Sequence, residues 1–327
     1  MSELALASFA AANDAHHVDE PRTARFARFR DAFDERAALE RLHEQGLRFV
    51  GRSDPRFPPL LRAIHDPPPG LFLRGTGPLD LLSRPAVAIV GARACSPYGR
   101  QVARRLGREL AAAGLVVVSG MARGVDAEAH RGALERDGVT VAVLGCGIDR
   151  DYPAAHASLA GQIADRGLVV SEYAPGVEPA PWRFPARNRI IAGLCAATVV
   201  VEARERSGAL ISADFALEEG REVFAVPGEI TSALSAGSNA LLRLGATPLT
   251  AAEDVLEAFG IGARLQPPPD VSDDAAAVLE RVQAAATSAD ELARATGIDA
   301  ARLAALVTEL ELAGLVGVEE GLIRAEA

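Results

Sequence analysis

Two rhythms alternate between Pro85 and Leu256. Short unbroken apolar runs rich in valine are AVAIVG (86–91), GLVVVSG (114–120), VTVAVLG (139–145), GLVVSE (167–172), ATVVVEA (197–203) and REVFAVPG (221–228). Continuous runs of β-branched residues at this length predict strands buried on both faces. The Ala- and Leu-rich stretches between them predict helices at Tyr98–Ala112, Asp126–Asp137, Ala155–Asp165, Asn188–Leu194 and Ala209–Glu219. Strand and helix in alternation define an α/β protein with a Rossmann-like parallel sheet core. Ligands of such sheets bind beyond the carboxyl ends of the strands.

The flanks follow other patterns. From Arg22 to Glu44, Phe26, Phe29, Phe33, Leu39 and Leu42 recur at helical spacing, which predicts a small N-terminal helical module. The Pro-rich FPPLLRAIHDPPPG (57–70) ends it and leads into a short strand, LFLRG. Residues 1–75 hold 11 Arg and 11 acidic residues, so packing or a partner contact is expected of them, not a strong field. Near the other end RLQPPPDVSDD (264–274) predicts a linker, and residues 275–326 predict three helices and a hairpin, GVEEGLIRAE. Thr287 or Ser288 can cap the second of these helices and Asp299 the third. The expected domains are therefore 1–75, a core at 76–263, and a linker with a C-terminal winged-helix domain at 264–327. Residues 271–327 carry 4 Arg against 11 Asp and Glu, so this winged helix favours a protein contact over duplex DNA.

Composition narrows the class. Hydrophobic residues make up 49% of the 327, ample for a sizeable core. No apolar run reaches the ~20 residues that span a bilayer, since 191–202 ends in Glu202. MSELALASFAAANDAHH shows neither an early basic patch nor a long apolar core, so no secretory signal is expected. Cys95, Cys146 and Cys195 are odd in number and form no CxxC pair, which points to a reducing cytoplasm without disulfides or thiolate metal sites. The net charge of -10 opposes general coating of duplex DNA. Yet all 34 basic residues are arginine, so any phosphate contact must use the planar, bidentate guanidinium.

Candidate chemistry sits at the strand ends. VAIVGARACSPYGRQVA turns at Gly91 and enters a helix near Pro97. It is not GxGxxG, so a dinucleotide fingerprint is absent. Backbone N–H groups at a helix start can still hold an anion, and Arg93 can share it. The alternatives are a helix cap for Ser96 and a salt bridge for Arg93. SGMARGVDAEAH repeats the arrangement: Gly120 and Gly124 allow close backbone approach and Asp126 can cap the next helix. Asp126 and His130 share a helix face but lack a third ligand, so His130 reads as a hydrogen-bonded structural residue. GCGIDRDYP makes a third loop, whose Cys146 has no histidine at motif spacing. Arg183, Arg187 and Arg189 cluster before a helix, and Glu202 either anchors an arginine toward a ligand or neutralises one. Ser207 and Gly208 open the next helix, and Pro227, Gly228, Gly237, Ser238 and Asn239 lie in an extended loop. No acid–base pair or Walker motif emerges, so the expectation is a binder with no catalytic residue, metal or cofactor.

Seven of these stretches, in this order, resemble the DNA-processing protein A family (DprA/Smf): GARACSPYG, SGMARGVDAEAH, GCGIDRDYP, SEYAPG, FPARNRIIAGL, VVVEARERSGALISA and FAVPGEITSALSAGSNALL. The resemblance covers nearly the whole chain. It implies a Rossmann-like core that binds single-stranded DNA in a positive pocket, protects incoming DNA during natural transformation, works as a homodimer and helps load a RecA-type recombinase. It implies no catalytic activity. Arg93, with Gly91, takes the arginine position of the family's GxR-type signature. Ser119, Gly120 and Arg123 carry the second signature, Asn188 and Arg189, next to Arg187, the RN pair, and Ser207 and Gly208 the later SG. Lysines that some members place around the pocket have no counterpart here. The N-terminal segment stands where members often carry a SAM-like module, and the acidic winged helix where several carry an accessory domain. Two rivals remain: a phosphoribohydrolase-like nucleotide enzyme, whose PGGxGTxxE loop is missing from PGEITSALSAG, and a protein-recruiting adaptor.

Overall fold

Each valine-rich run forms a strand shorter than the run: the flanking glycines, Glu172 and Glu202 fall outside it, whereas Ser119, Ser171 and Glu222 stay paired in the sheet. The strands are β3 (Ala86–Val90), β4 (Val116–Ser119), β5 (Thr140–Val143), β6 (Leu168–Ser171), β7 (Ala197–Val200) and β8 (Glu222–Ala225), preceded by β1 (Leu47–Gly51) and β2 (Gly70–Arg74) and followed by β9 (Thr247–Pro248). The computed structural model describes residues 2–13, 24–261, 271–284, 287–319 and 321–325. Among these, nine strands join in one sheet of order β1-β2-β6-β5-β4-β3-β7-β8-β9. Pairing is parallel from β6 through β9 and antiparallel for β1–β2 and β2–β6. The chain thus steps outward from β3 to β6, then returns to the other side of β3 to lay down β7, β8 and β9. Strand order reverses between β3 and β7, and their carboxyl ends part there to leave a crevice.

Helices cover both faces. They are α1 (Glu3–Asn13), α2 (Ala24–Ala32), α3 (Glu35–Glu44), α4 (Pro59–Arg62), α5 (Pro97–Ala112), α6 (Val125–Glu135), α7 (Ala157–Arg166), α8 (Arg183–Leu194), α9 (Gly208–Glu218), α10 (Ala236–Arg243) and α11 (Ala252–Ala258). The period of two along β3 sends Val87 and Ile89 to one face, against Leu106, Leu110 and Val125, and Ala88 and Val90 to the other, in the cluster of Ile190, Ile191 and Ala213. Each such buried Val, Leu or Ile side chain stabilises the fold by about 1.5–3 kcal/mol. α5 and α6 touch backbone to backbone: a Cβ on Gly132 would collide with the Arg104 carbonyl, and one on Gly107 with that of Ala129.

Three expectations are corrected. The helix foreseen from Arg22 to Glu44 is two helices, because Asp34 takes an extended backbone and accepts the N–H of Ala37 as the N-cap of α3; Arg22 itself lies outside the described residues. LFLRG does form a strand, but it pairs with LRFVG (β1), so residues 47–74 extend the core sheet. α8 begins at Arg183 and not at Asn188. Pro185 sits in its first turn, where a missing N–H costs nothing.

The chain divides into two compact units, 1–263 and 264–327. Residues 264–270 of the expected linker lie outside the described residues. The second unit holds α12 (Asp273–Ala284), β10 (Thr287–Ser288), α13 (Ala289–Thr296), α14 (Ala300–Leu312), β11 (Val316–Glu319) and β12 (Leu322–Ala325), with sheet order β10-β12-β11. Ser288 and Glu291 form a capping box on α13, and Asp299 accepts from the N–H groups of Ala301 and Arg302 at the start of α14. Val278, Leu292, Leu306, Leu310 and Ile323 fill its core. This is a winged helix. On α14, Arg302 pairs with Asp274 at 3.0 Å. Among the described residues no helix is long and apolar enough to cross a membrane.

Candidate functional site

At the reversal between β3 and β7 lies a cavity of about 320 Å³. Its walls come from the loop after β3, the first turns of α8, and the loop that leaves β7 for α9. Gly91, Arg93, Arg187, Asn188, Ser207 and Gly208 all line it. Arg204 and Arg206 join them on the rim. Among the described residues, no carboxylate pairs with Arg93, Arg204 or Arg206, and all three side chains are exposed. The salt-bridge alternative for Arg93 is therefore not what forms. Its guanidinium carbon instead lies 5.6 Å from the centroid of Phe184, and Phe184 stacks on Tyr152 with centroids 5.1 Å apart. Arg204 and Arg206 escaped the sequence reading; the signal was present in ARERSG, which interleaves arginines with the strand end and the SG.

Glu202 answers neither of the roles foreseen for it. Its carboxylate accepts the hydroxyl of Ser96 at 2.5 Å and the N–H of Ser96 at 2.9 Å. The same hydroxyl accepts the N–H of Gly99, so Ser96 is the N-cap of α5 as well as the latch to β7. Ala92 donates its N–H to the Glu202 carbonyl at 2.7 Å. Glu202 thus spends its charge on holding the Arg93 loop and none on the arginines. On the opposite wall, Asn188 donates to the Gly208 carbonyl at 3.0 Å and ties α8 to the start of α9. Ser207 caps α9 by accepting the N–H of Ala209. The start of this helix, and with it the positive end of its dipole, lies beside the pocket.

Beneath the pocket sits a second layer. Arg187 is buried and donates to the carbonyls of Gly120, at 2.9 Å, and Val143. Burial pulls its guanidinium down to about 10, which leaves it cationic at neutral pH. Asp126 does not cap α6, whose N-cap is Gly124; it accepts the N–H groups of Gly120 and Ala122 at 3.1 and 3.2 Å. Burial pushes its carboxyl above the usual range, while Arg187 and these N–H groups oppose that rise. A Cβ on Gly120 would stand 2.6 Å from Arg187 and 2.7 Å from Asp126, so only glycine fits. Ser119 is wholly buried and donates to the Ile89 carbonyl at 2.6 Å, joining β4 to β3. Ser119 and Gly120 therefore support the floor and do not line the pocket. Arg123 is exposed on the next loop, outside the lining.

Arg189 is directed elsewhere. Its guanidinium forms a two-pronged pair with buried Glu172, at 2.7 and 2.8 Å, and reaches Asp66 at 3.0 Å. Burial works against its charge, but Glu172 and Asp66 outweigh that and raise it. Its charge is consumed inside the fold, because helical geometry rotates Arg187 and Arg189, two residues apart, about 200° from one another. His130 is buried and bonded through Nδ1 to Thr140 Oγ1 at 2.7 Å, and burial lowers it to about 3. Among the described residues no group of His, Cys, Asp and Glu is placed to hold a metal ion.

Fold and site define a class: a doubly wound Rossmann-like protein with an arginine-rimmed pocket at its topological switch point, joined to a winged helix. The family model described as DNA recombination-mediator protein A matches residues 48–260, and the DprA winged helix domain matches 262–321. The DNA processing protein DprA of Streptococcus pneumoniae is 48% identical over 206 residues, 63% of this chain and 72% of that protein. The X-ray structure of DprA from Streptococcus pneumoniae aligns with a TM-score of 0.67 at 40% identity, covering 78% of this chain and 91% of that one. A structure of Helicobacter pylori DNA processing protein A, described by its single-stranded DNA binding mode, aligns at 0.59 with 32% identity over 65% of this chain and 95% of that one. The chain belongs to the DprA/Smf family of DNA-processing proteins.

Proposed function

We propose that the switch-point pocket grips the phosphodiester backbone of single-stranded DNA, and that the chain protects incoming DNA and helps load a RecA-type recombinase during natural transformation. One observation carries the reading: Arg93, Arg204 and Arg206 are exposed around one cavity and form no ion pair among the described residues. The one carboxylate in its lining, Asp126, is buried and bonded to the N–H groups of Gly120 and Ala122. Their charge-assisted hydrogen bonds would hold consecutive phosphates. Asn188 and Arg187 shape the floor, the second adding a buried positive charge. A single strand can bend its backbone into a niche of about 320 Å³; a duplex would have to be distorted to do so. The described binding mode of the Helicobacter pylori relative supports the choice of ligand.

The action is physical: binding and presentation in the cytoplasm, with no bond broken. Two copies acting together would place two pockets on one strand and raise apparent affinity. The groove lined by Leu210, Ile211, Leu241 and Leu244, which shares Arg206–Gly208 with the pocket, supports pairing of two copies there. The acidic winged helix, with Leu312 exposed on it, suits a protein partner.

Anisotropy titrations of an unstructured labelled strand and its matched duplex over a salt series test this reading. Tighter binding of the strand, with a steep loss as salt rises, is the expected result. Equal or weaker binding of the strand would overturn it. Sedimentation of Leu244→Arg tests the pairing, and capture of a RecA-type recombinase with and without residues 264–327 tests the recruiting role.

A further inference from the structure

The GCGIDRDYP loop after β5 stands outside the phosphate-gripping set, yet it is tied to its neighbours at successive residues. Gly147 donates its N–H to Val177, Ile148 to Tyr173, and Asp149 accepts the N–H of Gly176. Arg150 pairs with Glu178 at 2.7 Å and Asp151 with Arg74 at 2.5 Å. Five successive residues are thus fixed to their surroundings. The sixth, Tyr152, is not sunk into the core: 44% of it is exposed. One side of its ring stacks on Phe184, at an interplanar angle of 25°. Phe184 in turn lines the pocket beneath the Arg93 guanidinium and rests on Gly145, where a Cβ would stand 2.8 Å from the ring. Guanidinium and two rings therefore lead from the phosphate niche to an exposed aromatic surface on a rigid mount.

We propose that Tyr152 is a stacking platform for a nucleobase of the strand whose phosphates occupy the Arg93 niche. This deepens the single-strand reading and rests on it. A phosphate beside Arg93 places its own or the neighbouring base within reach of the rings, and the bases of a single strand are free to leave their stack. Every base has a π-face, so such a platform accepts all four and favours strand over duplex without reading sequence. The loop's fixed contacts mean that the ring is already in place, so stacking costs little ordering.

The test compares Tyr152→Ala, Tyr152→Phe and the unaltered chain on a labelled oligo-dT strand and on a strand of equal length made of abasic sites. Tyr152→Ala is expected to bind oligo-dT about tenfold more weakly, with an unchanged salt slope, and to bind the abasic strand as the unaltered chain does. Tyr152→Phe, which keeps the ring, retains the affinity. Equal affinity of Tyr152→Ala and the unaltered chain for oligo-dT overturns the proposal. So does an equal loss on the abasic strand, which would mean that the ring merely supports Phe184 and Arg93. If the unaltered chain binds neither strand, the single-strand reading falls and this inference with it.

Discussion

The Ser96 hydroxyl and the Glu202 carboxylate meet at 2.5 Å, and the Ser96 N–H reaches the other carboxylate oxygen at 2.9 Å. One acidic residue at the end of β7 thereby sets the loop that follows β3, across 106 residues of chain. Glu202→Ala should lower stability to urea by about 1–3 kcal/mol through loss of two charge-assisted hydrogen bonds. It should also weaken single-strand binding, because Arg93 loses a fixed mount. Gly99→Ala makes the same point from the other side, since its Cβ would collide with that carboxylate. Urea unfolding beside DNA titration of both variants checks this.

Arg93 is exposed and takes part in no ion pair among the described residues, so Arg93→Ala should leave stability unchanged. Binding to a single strand should weaken by about 1–3 kcal/mol, with the salt slope smaller by about 0.7 for one lost phosphate contact. Arg206→Ala should act in the same direction. An unchanged affinity and slope in folded Arg93→Ala would remove this residue from the interface.

Arg189 gives the opposite expectation. Removing it takes from Glu172, 3% exposed, its two-pronged bond to a guanidinium. Arg189→Ala should destabilise the core by about 3–5 kcal/mol. Arg189→Lys should rescue it incompletely, because an ammonium cannot reproduce the two-pronged pairing. Any loss of DNA binding should track the unfolded fraction in a melting curve, which separates this residue from Arg93.

His130 should shape the acid limb of stability. Burial holds it near 3 in the folded chain, helped by the nearby charges of His156, Arg187 and Arg131, against an ordinary 6.5. Between those values the unfolded state binds the extra proton, so stability is full above about pH 6.5 and declines as pH falls toward 3, by up to ~1.4 kcal/mol per pH unit. Asp126, raised by burial, works with the opposite sign and softens the decline. His130→Asn, which can keep the bond to Thr140, should show a shallower fall between pH 6.5 and 4.5 and no change of slope above pH 7. Urea midpoints across that range read the difference.

The alternation of apolar runs and helices was legible because strands buried on both faces leave no choice of residue type, and turns at Gly91, Gly120 and Gly145 announce the strand ends. Ser288 and Asp299 were legible as caps because capping is decided within four residues. The pairing of β1 with β2 was harder to read, since Pro-rich residues 57–69 separate them and masked the hairpin-like return. The grouping of arginines could be read only in part: Arg93 and Arg187 were candidates and do line one pocket. Arg187 and Arg189 look equivalent in RNR, yet one floors the pocket and the other is spent on Glu172 and Asp66.

By itself, then, the order of residues determined the six core strands, most of the helices between them, and that any phosphate contact would have to come from guanidinium groups in an acidic chain. Only the tertiary structure decided which guanidiniums are available. That choice depends on strand order: laying β7 beside β3 brings Gly91, Arg93 and Arg204–Gly208 to one crevice from more than a hundred residues apart. Local preference acts over a few residues, whereas that juxtaposition arises when the whole sheet is assembled.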